Sequence, residues 1–295
     1  MKVVFRLLAA ILCLHVLESL ADVGATDSDG RRVTLPVPAK RIVSLAPHVT
    51  ELLFAAGAGA NVVAVSEFSD FPDAARRLPV VASSSTVDLE RVLALRADLA
   101  VAWRLSATAQ SLDRLQAIGV PVFYSEPHTL AQIADQVEAL GALAGTAPQA
   151  RQAASDLRGE LARLRAEYSG RTPLRVFYEI SERPLMTVNG GQFLSDALEV
   201  CGARNVFADA AVIAPVVGAE AVLAADPDVI IAALDDPGDT SWSAFWRPFR
   251  GMRAVRAENF VTVSANEMNR QGPRAFAATR KLCGLLEQAR ARAVR

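Results

Sequence analysis

The sequence has little histidine and almost no net charge, and each shortage excludes a class of function. Its 295 residues include 31 Lys and Arg and 32 Asp and Glu, so no basic surface is available to neutralise nucleic-acid phosphates. After residue 21 the only histidines are His48 and His128, too few for the clusters of ligands that hold transition metals. We therefore expect no nucleic-acid partner, no bound metal and no cofactor.

The chain also lacks the short motifs of common enzyme active sites. It has no Gly-x-Ser-x-Gly nucleophile elbow, no His-Glu-x-x-His zinc helix and no Gly-x-x-x-x-Gly-Lys phosphate loop. The stretch "GAGAN" at Gly57 follows a predicted helix and has no third glycine, so it indicates a helix stop rather than a dinucleotide site. We expect a protein that is not an enzyme. An exported hydrolase is the alternative, because fold alone does not decide function.

Long apolar runs are absent after the N-terminus. No later stretch reaches about 18 uninterrupted apolar residues, so a membrane-spanning helix is not expected there. At the start of the chain, Lys2 and Arg6 precede an apolar run from Leu7 to Leu17 and then small residues, a pattern typical of a secretory signal peptide. We assign residues 1–21 to this signal and expect export. An uncleaved membrane anchor is the alternative.

Cysteine is scarce as well. Two of the three cysteines, Cys201 and Cys283, remain after removal of the signal. Disulfides persist in the compartments that exported proteins reach, so we expect these two residues to pair. Sequence spacing cannot fix the distance between their Cα atoms, and two buried free thiols are the alternative.

Strand and helix patterns alternate along the mature chain. An Asp-Gly hairpin precedes a predicted strand at residues 41–45, a helix capped by Thr50 with a glutamate just behind it, and a strand at residues 62–65. This alternation predicts an α/β fold of parallel sheets covered on both faces. Residues 148–170 are rich in Ala, Arg, Glu and Leu and predict one long helix. We therefore divide the chain into an N-terminal lobe (22–147), a linking helix (148–170) and a C-terminal lobe (171–295).

One element occurs twice, once in each predicted lobe. The stretch "DLERVLALRADLAVA" begins at Asp88, and "GAEAVLAADPDVIIA" begins at Gly218. Each places a glutamate, Glu90 or Glu220, in the first turn of a predicted helix that leads into a strand. Compensation of the helix dipole, worth about 0.3–1 kcal/mol, would explain the glutamates. A surface function shared by the two lobes would explain them equally well.

Five stretches of the mature chain form a specific combination. They are "SLAPHVTELLFAAGAG", "VSEFSDFP", "DLERVLALRADLAVAWR", "LEVCGARNVF" and "AEAVLAADPDVII". Together they resemble the substrate-binding proteins of ABC importers for cobalamin, ferric siderophores and haem, and the likeness covers nearly the whole mature chain. The resemblance implies two Rossmann-like lobes joined by a single long backbone helix, with the ligand in the cleft between them and little hinge closure. It also implies a soluble periplasmic monomer that meets the membrane only through its permease.

The resemblance gives the duplicated glutamates a role. In the family, one acidic residue on the outer surface of each lobe docks onto arginines of the permease dimer, and Glu90 and Glu220 match these positions. Two related lobes facing a two-fold symmetric transporter would make the same contact twice. The family's cysteine pair matches Cys201 and Cys283, so the resemblance also implies that these residues form a disulfide.

The resemblance further implies a set of ligand-binding residues. Trp103, at a strand end with Arg104 beside it, matches an aromatic residue that flanks the cobalamin. Phe68 keeps the ring of a family tyrosine, and Arg270 in "NEMNRQGPR" matches a cleft arginine. The alternatives are a tryptophan that packs only against its own lobe, and core positions for Phe68 and Phe71.

Three positions depart from the cobalamin-binding members of the family. Ser84, Met186 and Ala214 stand where those members have aromatic residues. Broad aromatic faces suit a flat, largely apolar macrocycle, so these departures imply a pocket that is wider or stacks less on its ligand. The polarizable side chain of Met186 could compensate for part of this loss.

Cobalamin is the expected ligand, and haem or a ferric siderophore is the alternative within the same family. A haem binder would need an axial ligand, for which Tyr124, Tyr178 and His48 are the candidates. From its position after a strand, His48 more simply caps the next helix or faces solvent. A siderophore binder would show more basic residues around its cleft. The arginines expected there are Arg104, Arg183 and Arg270.

Overall fold

The structure is a computed structural model that describes residues 22–104, 109–236 and 238–293, and it contains two parallel β-sheets with a long helix between them in the chain. The predicted signal peptide at residues 1–21 lies outside the described residues. Within the three described ranges, no helix is both long and apolar enough to cross a membrane.

The first half of the chain forms a five-stranded sheet with a hairpin beside it. Its elements are β1 (Val23–Thr26), β2 (Arg32–Leu35), β3 (Ile42–Ser44), α1 (Pro47–Ala55), β4 (Val62–Ser66), β5 (Val80–Ala82), α2 (Leu89–Ala94), β6 (Leu99–Ala102), α3 (Ala109–Ala117), β7 (Val122–Tyr124) and α4 (Leu130–Ala144). Strands β1 and β2 pair antiparallel, as the Asp-Gly turn predicts. The sheet order is β5-β4-β3-β6-β7, and every pair is parallel, so the carboxyl ends of its strands meet at one edge.

The second half repeats this construction with four strands. Its elements are α5 (Ala147–Tyr168), β8 (Leu174–Glu179), β9 (Ser181–Glu182), β10 (Leu185–Met186), α6 (Phe193–Val200), β11 (Ala203–Asn205), α7 (Ala219–Ala225), β12 (Val229–Leu234), α8 (Arg253–Arg256), β13 (Phe260–Ser264), α9 (Ala265–Met268) and α10 (Arg274–Ala293). Strands β9 and β10 form a small hairpin, and the parallel sheet has the order β11-β8-β12-β13. Helix α5 is the long helix predicted between the two sheets.

Both faces of each sheet are buried, which confirms the predicted α/β class. Neighbouring residues on the central strands pack into different hydrophobic clusters: Ile42 and Val43 in β3, and Val176 and Phe177 in β8. Ile42 and Val176 belong to the same cluster, to which α4, α5, α6 and α10 also contribute. This continuous apolar core joins the lobes, and pulling them apart would expose it to water at a cost of about 25 cal/mol per Å².

The start of α1 differs from the expectation. The helix begins at Pro47 with Ala46 as its N-cap residue, so Thr50 does not cap it. Proline suits a first helical position because it has no N–H to satisfy and its φ is already helical. Thr50 is instead buried inside the helix, where its hydroxyl donates a hydrogen bond to the Ser69 hydroxyl at 3.0 Å. The predicted stop after α1 is confirmed at Gly57, which adopts φ +77°.

The predicted disulfide is present. Cys201 follows α6, Cys283 lies in α10, and their sulfur atoms are bonded across 82 residues of sequence. Both residues are fully buried in the shared core, so the disulfide ties two helices of the C-terminal half together. The alternative of two free thiols is therefore wrong.

The duplicated element has the same local structure in both lobes. In each copy the aspartate just before the following strand accepts a hydrogen bond from a backbone N–H near the start of a neighbouring parallel strand. Asp98 accepts from Arg41 at 2.9 Å, and Asp228 accepts from Arg175 at 2.8 Å. The repeat therefore occupies equivalent places in two lobes of related construction.

Candidate functional site

A cavity of about 260 Å³ lies between the two lobes and opens to solvent. Its residues from the first lobe follow the carboxyl ends of β6 and β7, and those from the second lobe include residues that follow β8 and β13. This edge of a parallel sheet is where open α/β folds bind ligands. The cavity is lined by Trp103, Glu126, His128, Ile180, Val188, Gln192, Leu194, Ile213, Ala214, Asn269 and Gln271.

Trp103 provides the aromatic surface of this cavity. It is partly buried, packs against the shared core and makes a T-shaped contact with the His48 imidazole, with ring centroids 5.7 Å apart and planes at 87°. His48 neither caps α1 nor faces solvent, which corrects the simpler expectation: it is buried, with Nε2 3.2 Å from the Ser125 carbonyl oxygen. Burial lowers the pKa of His48 to about 4, so near pH 7 a neutral imidazole supports the indole.

Two polar residues of the cavity, Asn269 and Gln271, escaped the sequence-based prediction. The Tyr178 hydroxyl donates a hydrogen bond to Asn269 Oδ1 at 3.1 Å, whereas Gln271 Oε1 is buried and has no hydrogen-bond partner among the described residues. Both flank Arg270 in the motif that follows β13. Their position after a predicted strand was the sequence signal that could have identified them, because open α/β sheets bind ligands at the carboxyl ends of their strands.

Arg270 does not stand free in the cleft, because it pairs with acidic residues of the other lobe. Its Nη1 lies 2.5 Å from Asp70 Oδ1 and 3.5 Å from Glu51 Oε1. Arg274 makes a two-point contact with the Glu51 carboxylate at 2.6 and 3.1 Å. Burial opposes ionisation of Asp70, but the hydrogen bond and charge of Arg270 outweigh it and lower the pKa of this carboxyl. We call these four residues the interlobe ion cluster.

The other two predicted cleft arginines are also paired. Arg104 makes an ion pair with Asp29 and lies over the Tyr124 ring at 4.3 Å from its centroid. Arg183 lies 3.0 Å from Glu182. None of the three arginines therefore offers an uncompensated positive charge to a ligand.

The three candidate haem ligands are buried. Tyr124 lies beneath Arg104, Tyr178 is fully buried against Asn269, and His48 lies behind Trp103. Burial also raises the pKa of Tyr178, which disfavours a metal-binding phenolate. In the part of the chain that the structure describes, no group of three or more His, Cys, Asp or Glu side chains is arranged to hold a metal ion.

The remaining predicted ligand residues lie outside this cavity lining. Phe68 is 73% exposed in a loop after β4, with φ +62°, and Ser84 is exposed in the loop after β5. Met186 is partly buried in β10, where its carbonyl oxygen accepts a hydrogen bond from the backbone N–H of Ile180, a cavity residue, at 3.0 Å. Phe71 is 44% exposed beneath Arg274, whose guanidinium carbon lies 4.4 Å from the ring centroid.

The duplicated glutamates lie on the surface, one in each lobe. Glu90 and Glu220 are each the second residue of their helix, α2 and α7, and both are exposed. Each helix leads into a strand of a parallel sheet, α2 into β6 and α7 into β12. Neither glutamate lines the cavity, and no hydrogen bond or ion pair to another described residue engages either carboxylate.

Comparison with known proteins gives consistent matches. A model of the periplasmic binding protein family matches residues 42–245. The vitamin B12-binding protein of Vibrio cholerae is 37% identical over 253 residues, covering 85% of this chain and 91% of that protein. The vitamin B12-binding protein of Yersinia pestis is 37% identical over 252 residues, covering 85% and 88%.

Solved structures agree with these matches. The crystal structure of the periplasmic vitamin B12 binding protein BtuF of Vibrio cholerae matches with a TM-score of 0.79 and 36% identity, covering 86% of this chain and 98% of that one. The periplasmic heme-binding protein RhuT from Roseiflexus sp. RS-1 has a TM-score of 0.74 at 22% identity, covering 85% and 99%. The second match shows a shared fold alone.

Proposed function

This chain belongs to the periplasmic binding protein family, and on that premise we propose that it captures cobalamin in the periplasm and delivers it to an ABC importer of the inner membrane. The observation that carries the proposal is the interlobe cavity with Trp103 on its surface, in a chain 37% identical to vitamin B12-binding proteins. We assign it a binding role rather than a catalytic one, as a soluble monomer without a cofactor. Calorimetric titration of the mature protein with cyanocobalamin tests this function.

The proposal also keeps the domain division of the sequence: a signal peptide at 1–21, lobes at 22–147 and 171–295, and a linking helix at 148–170. Helix α5, at Ala147–Tyr168, supports the position of the link. A secretory signal would bring the protein to the compartment where the disulfide persists.

The cavity is smaller than a corrinoid needs. Its volume of about 260 Å³ falls below the roughly 300–1,000 Å³ of typical ligand pockets. In our proposal one edge of the macrocycle enters the cavity beside Trp103, and the rest extends between the lobes. Phe68 and Met186 then contact the ligand from either lobe, Ser84 leaves room for it, and Arg104 and Arg270 flank it.

The described site favours cobalamin over haem or a ferric siderophore. Haem propionates and many iron chelates carry negative charge, which calls for uncompensated cations, whereas the three cleft arginines are already paired. The walls contributed by Ile180, Val188 and Ile213 are apolar and suit the body of a large, neutral ring system.

We further propose that Glu90 and Glu220 dock the protein onto the two subunits of the permease. Both glutamates are exposed, and the helices that carry them, α2 and α7, are equivalent elements of the two lobes. Complementary charge at such a contact orients a partner and speeds its association. Because the glutamates occur once per lobe, they suit a two-fold symmetric partner.

Reversal of both charges tests this docking. Glu90→Lys combined with Glu220→Lys should reduce cobalamin uptake by about tenfold, the effect of losing about 1.4 kcal/mol of docking energy. The affinity for cyanocobalamin should not change. Uptake is measured in cells or proteoliposomes that carry the permease, and affinity by calorimetry.

Glu199→Lys is the matched control, because Glu199 is also exposed but lies near the end of α6. It should leave uptake unchanged. A double variant with normal uptake would contradict the docking role, and a loss of affinity would place the two glutamates at the ligand site instead.

A further inference from the structure

Gln271 is a buried amide without a hydrogen-bond partner. Its residue exposure is 6%, it lines the interlobe cavity, and its Oε1 makes no hydrogen bond to any described residue. A buried polar atom left unpaired costs about 1–3 kcal/mol, so native proteins rarely keep one without a reason. A side chain in this state inside a binding cavity is well placed to pair with a ligand.

The neighbouring Asn269 offers the complementary group. The Tyr178 hydroxyl donates to its Oδ1, which fixes the amide so that oxygen points to the phenol. The two N–H donors of Asn269 are then available, and no other described residue accepts from them. Arg270, between the two residues in sequence, is held by Asp70 and Glu51. The cavity end formed by residues 269 and 271 therefore offers one neutral donor and one neutral acceptor.

We propose that Asn269 and Gln271 together bind one primary carboxamide of the ligand. The ligand N–H donates to Gln271 Oε1, and the ligand carbonyl oxygen accepts from the Asn269 side-chain nitrogen. The inference rests on the proposed function, because the corrin ring of cobalamin carries acetamide and propionamide groups around its edge. Haem propionates and the chelating oxygens of a siderophore are acceptors only, so those groups leave Gln271 Oε1 unpaired. The pair thus favours ligands with a primary carboxamide, which presents an N–H donor and a carbonyl acceptor side by side.

Gln271→Met tests the acceptor. Methionine has a similar length without a strong hydrogen-bonding group, so the variant should bind cyanocobalamin about tenfold more weakly. Its melting temperature without ligand should stay the same or rise, because a buried unpaired oxygen has been removed. Calorimetry gives the affinity, and thermal unfolding shows that the variant is folded.

Gln136→Met is the matched control. Gln136 lies in α4, is 8% exposed and also has a buried Oε1 without a partner among the described residues, but it does not line the cavity. Its replacement should leave the affinity for cyanocobalamin unchanged. Equal affinity in wild type and Gln271→Met would overturn the inference while leaving the proposed function intact.

Asn269→Asp tests the donor separately. The aspartate keeps an oxygen for the Tyr178 hydroxyl but removes both N–H donors, so the affinity for cyanocobalamin should again fall about tenfold.

Cyanocobalamin monocarboxylic acids, in which one amide is hydrolysed, give an independent readout. Wild type should bind at least one isomer about tenfold more weakly than cyanocobalamin, and Gln271→Met should lose this discrimination.

The outcomes separate the two proposals. If wild type binds every monocarboxylic acid as well as cyanocobalamin, no single amide is recognised and the inference fails alone. If wild type does not bind cyanocobalamin at all, the proposed function fails, and the inference that rests on it fails too.

Discussion

Trp103→Ala should weaken cyanocobalamin binding by roughly 1–3 kcal/mol, about 5- to 150-fold in Kd. Among the described residues, Trp103 is the only tryptophan that lines the interlobe cavity, and its indole makes a T-shaped contact with the neutral His48 ring behind it. A large aromatic face held in place by a buried partner provides much contact area at little entropic cost. Calorimetry of the variant gives the change in Kd directly.

Two further variants make this test specific. Trp103→Phe keeps a ring and should lose less affinity than the alanine variant. Trp242→Phe changes a tryptophan that packs with Phe177 and Trp246 in a separate hydrophobic cluster of the C-terminal lobe and does not line the cavity. This variant should leave the affinity unchanged. Unchanged affinity in Trp103→Ala would remove the indole from the ligand site and leave only its packing against the shared core.

Glu51→Ala should lower the free energy of unfolding by about 2–4 kcal/mol. The Glu51 side chain is 1% exposed and makes a two-point contact with Arg274 across the lobes, at 2.6 and 3.1 Å. Removing one member of a buried ion pair leaves the other charge uncompensated, which typically costs about 3–5 kcal/mol. Arg274 is 23% exposed, so solvent reduces that cost to the expected value of about 2–4 kcal/mol. Urea unfolding with and without the substitution measures the difference.

An exposed ion pair provides the comparison for Glu51. Asp135 lies 2.7 Å from Arg158, but its side chain is 60% exposed. Asp135→Ala should therefore cost only about 0–1 kcal/mol. If Glu51→Ala were no more destabilising than Asp135→Ala, the interlobe ion cluster would not hold the lobes together.

Local sequence signals predicted most of the fold. The structure confirms three features that short stretches of sequence indicate. They are the alternation of strands and helices, the glycine that ends α1 and the helix-then-strand element that occurs in both lobes. The predicted start of α1 was wrong because two local signals competed. Pro47, which favours the first helical position, determined the start, and Thr50 did not act as the N-cap. Helices α4 and α10 were not identified, although both contribute to the core shared by the lobes.

The candidate site was less predictable, because its chemistry depends on partners that are distant in sequence. Resemblance to a family predicted Trp103 as a ligand-binding residue, but no sequence pattern shows that Arg270 is neutralised by Asp70, 200 residues earlier. For the same reason, the role of His48 behind Trp103 and the unpaired oxygen of Gln271 became visible only in three dimensions. Composition and spacing report which groups are present, but not which of them remain available to a ligand.

One titration tests the central claim most directly. The chain without the proposed signal peptide, residues 22–295, is titrated by calorimetry with cyanocobalamin, haemin and a ferric siderophore under the same conditions. Capture of a neutral, amide-bearing corrinoid in the interlobe cavity predicts saturable binding of one cyanocobalamin per protein, tighter than binding of either iron chelate. Tight binding of haemin or the siderophore with no heat from cyanocobalamin would contradict the account.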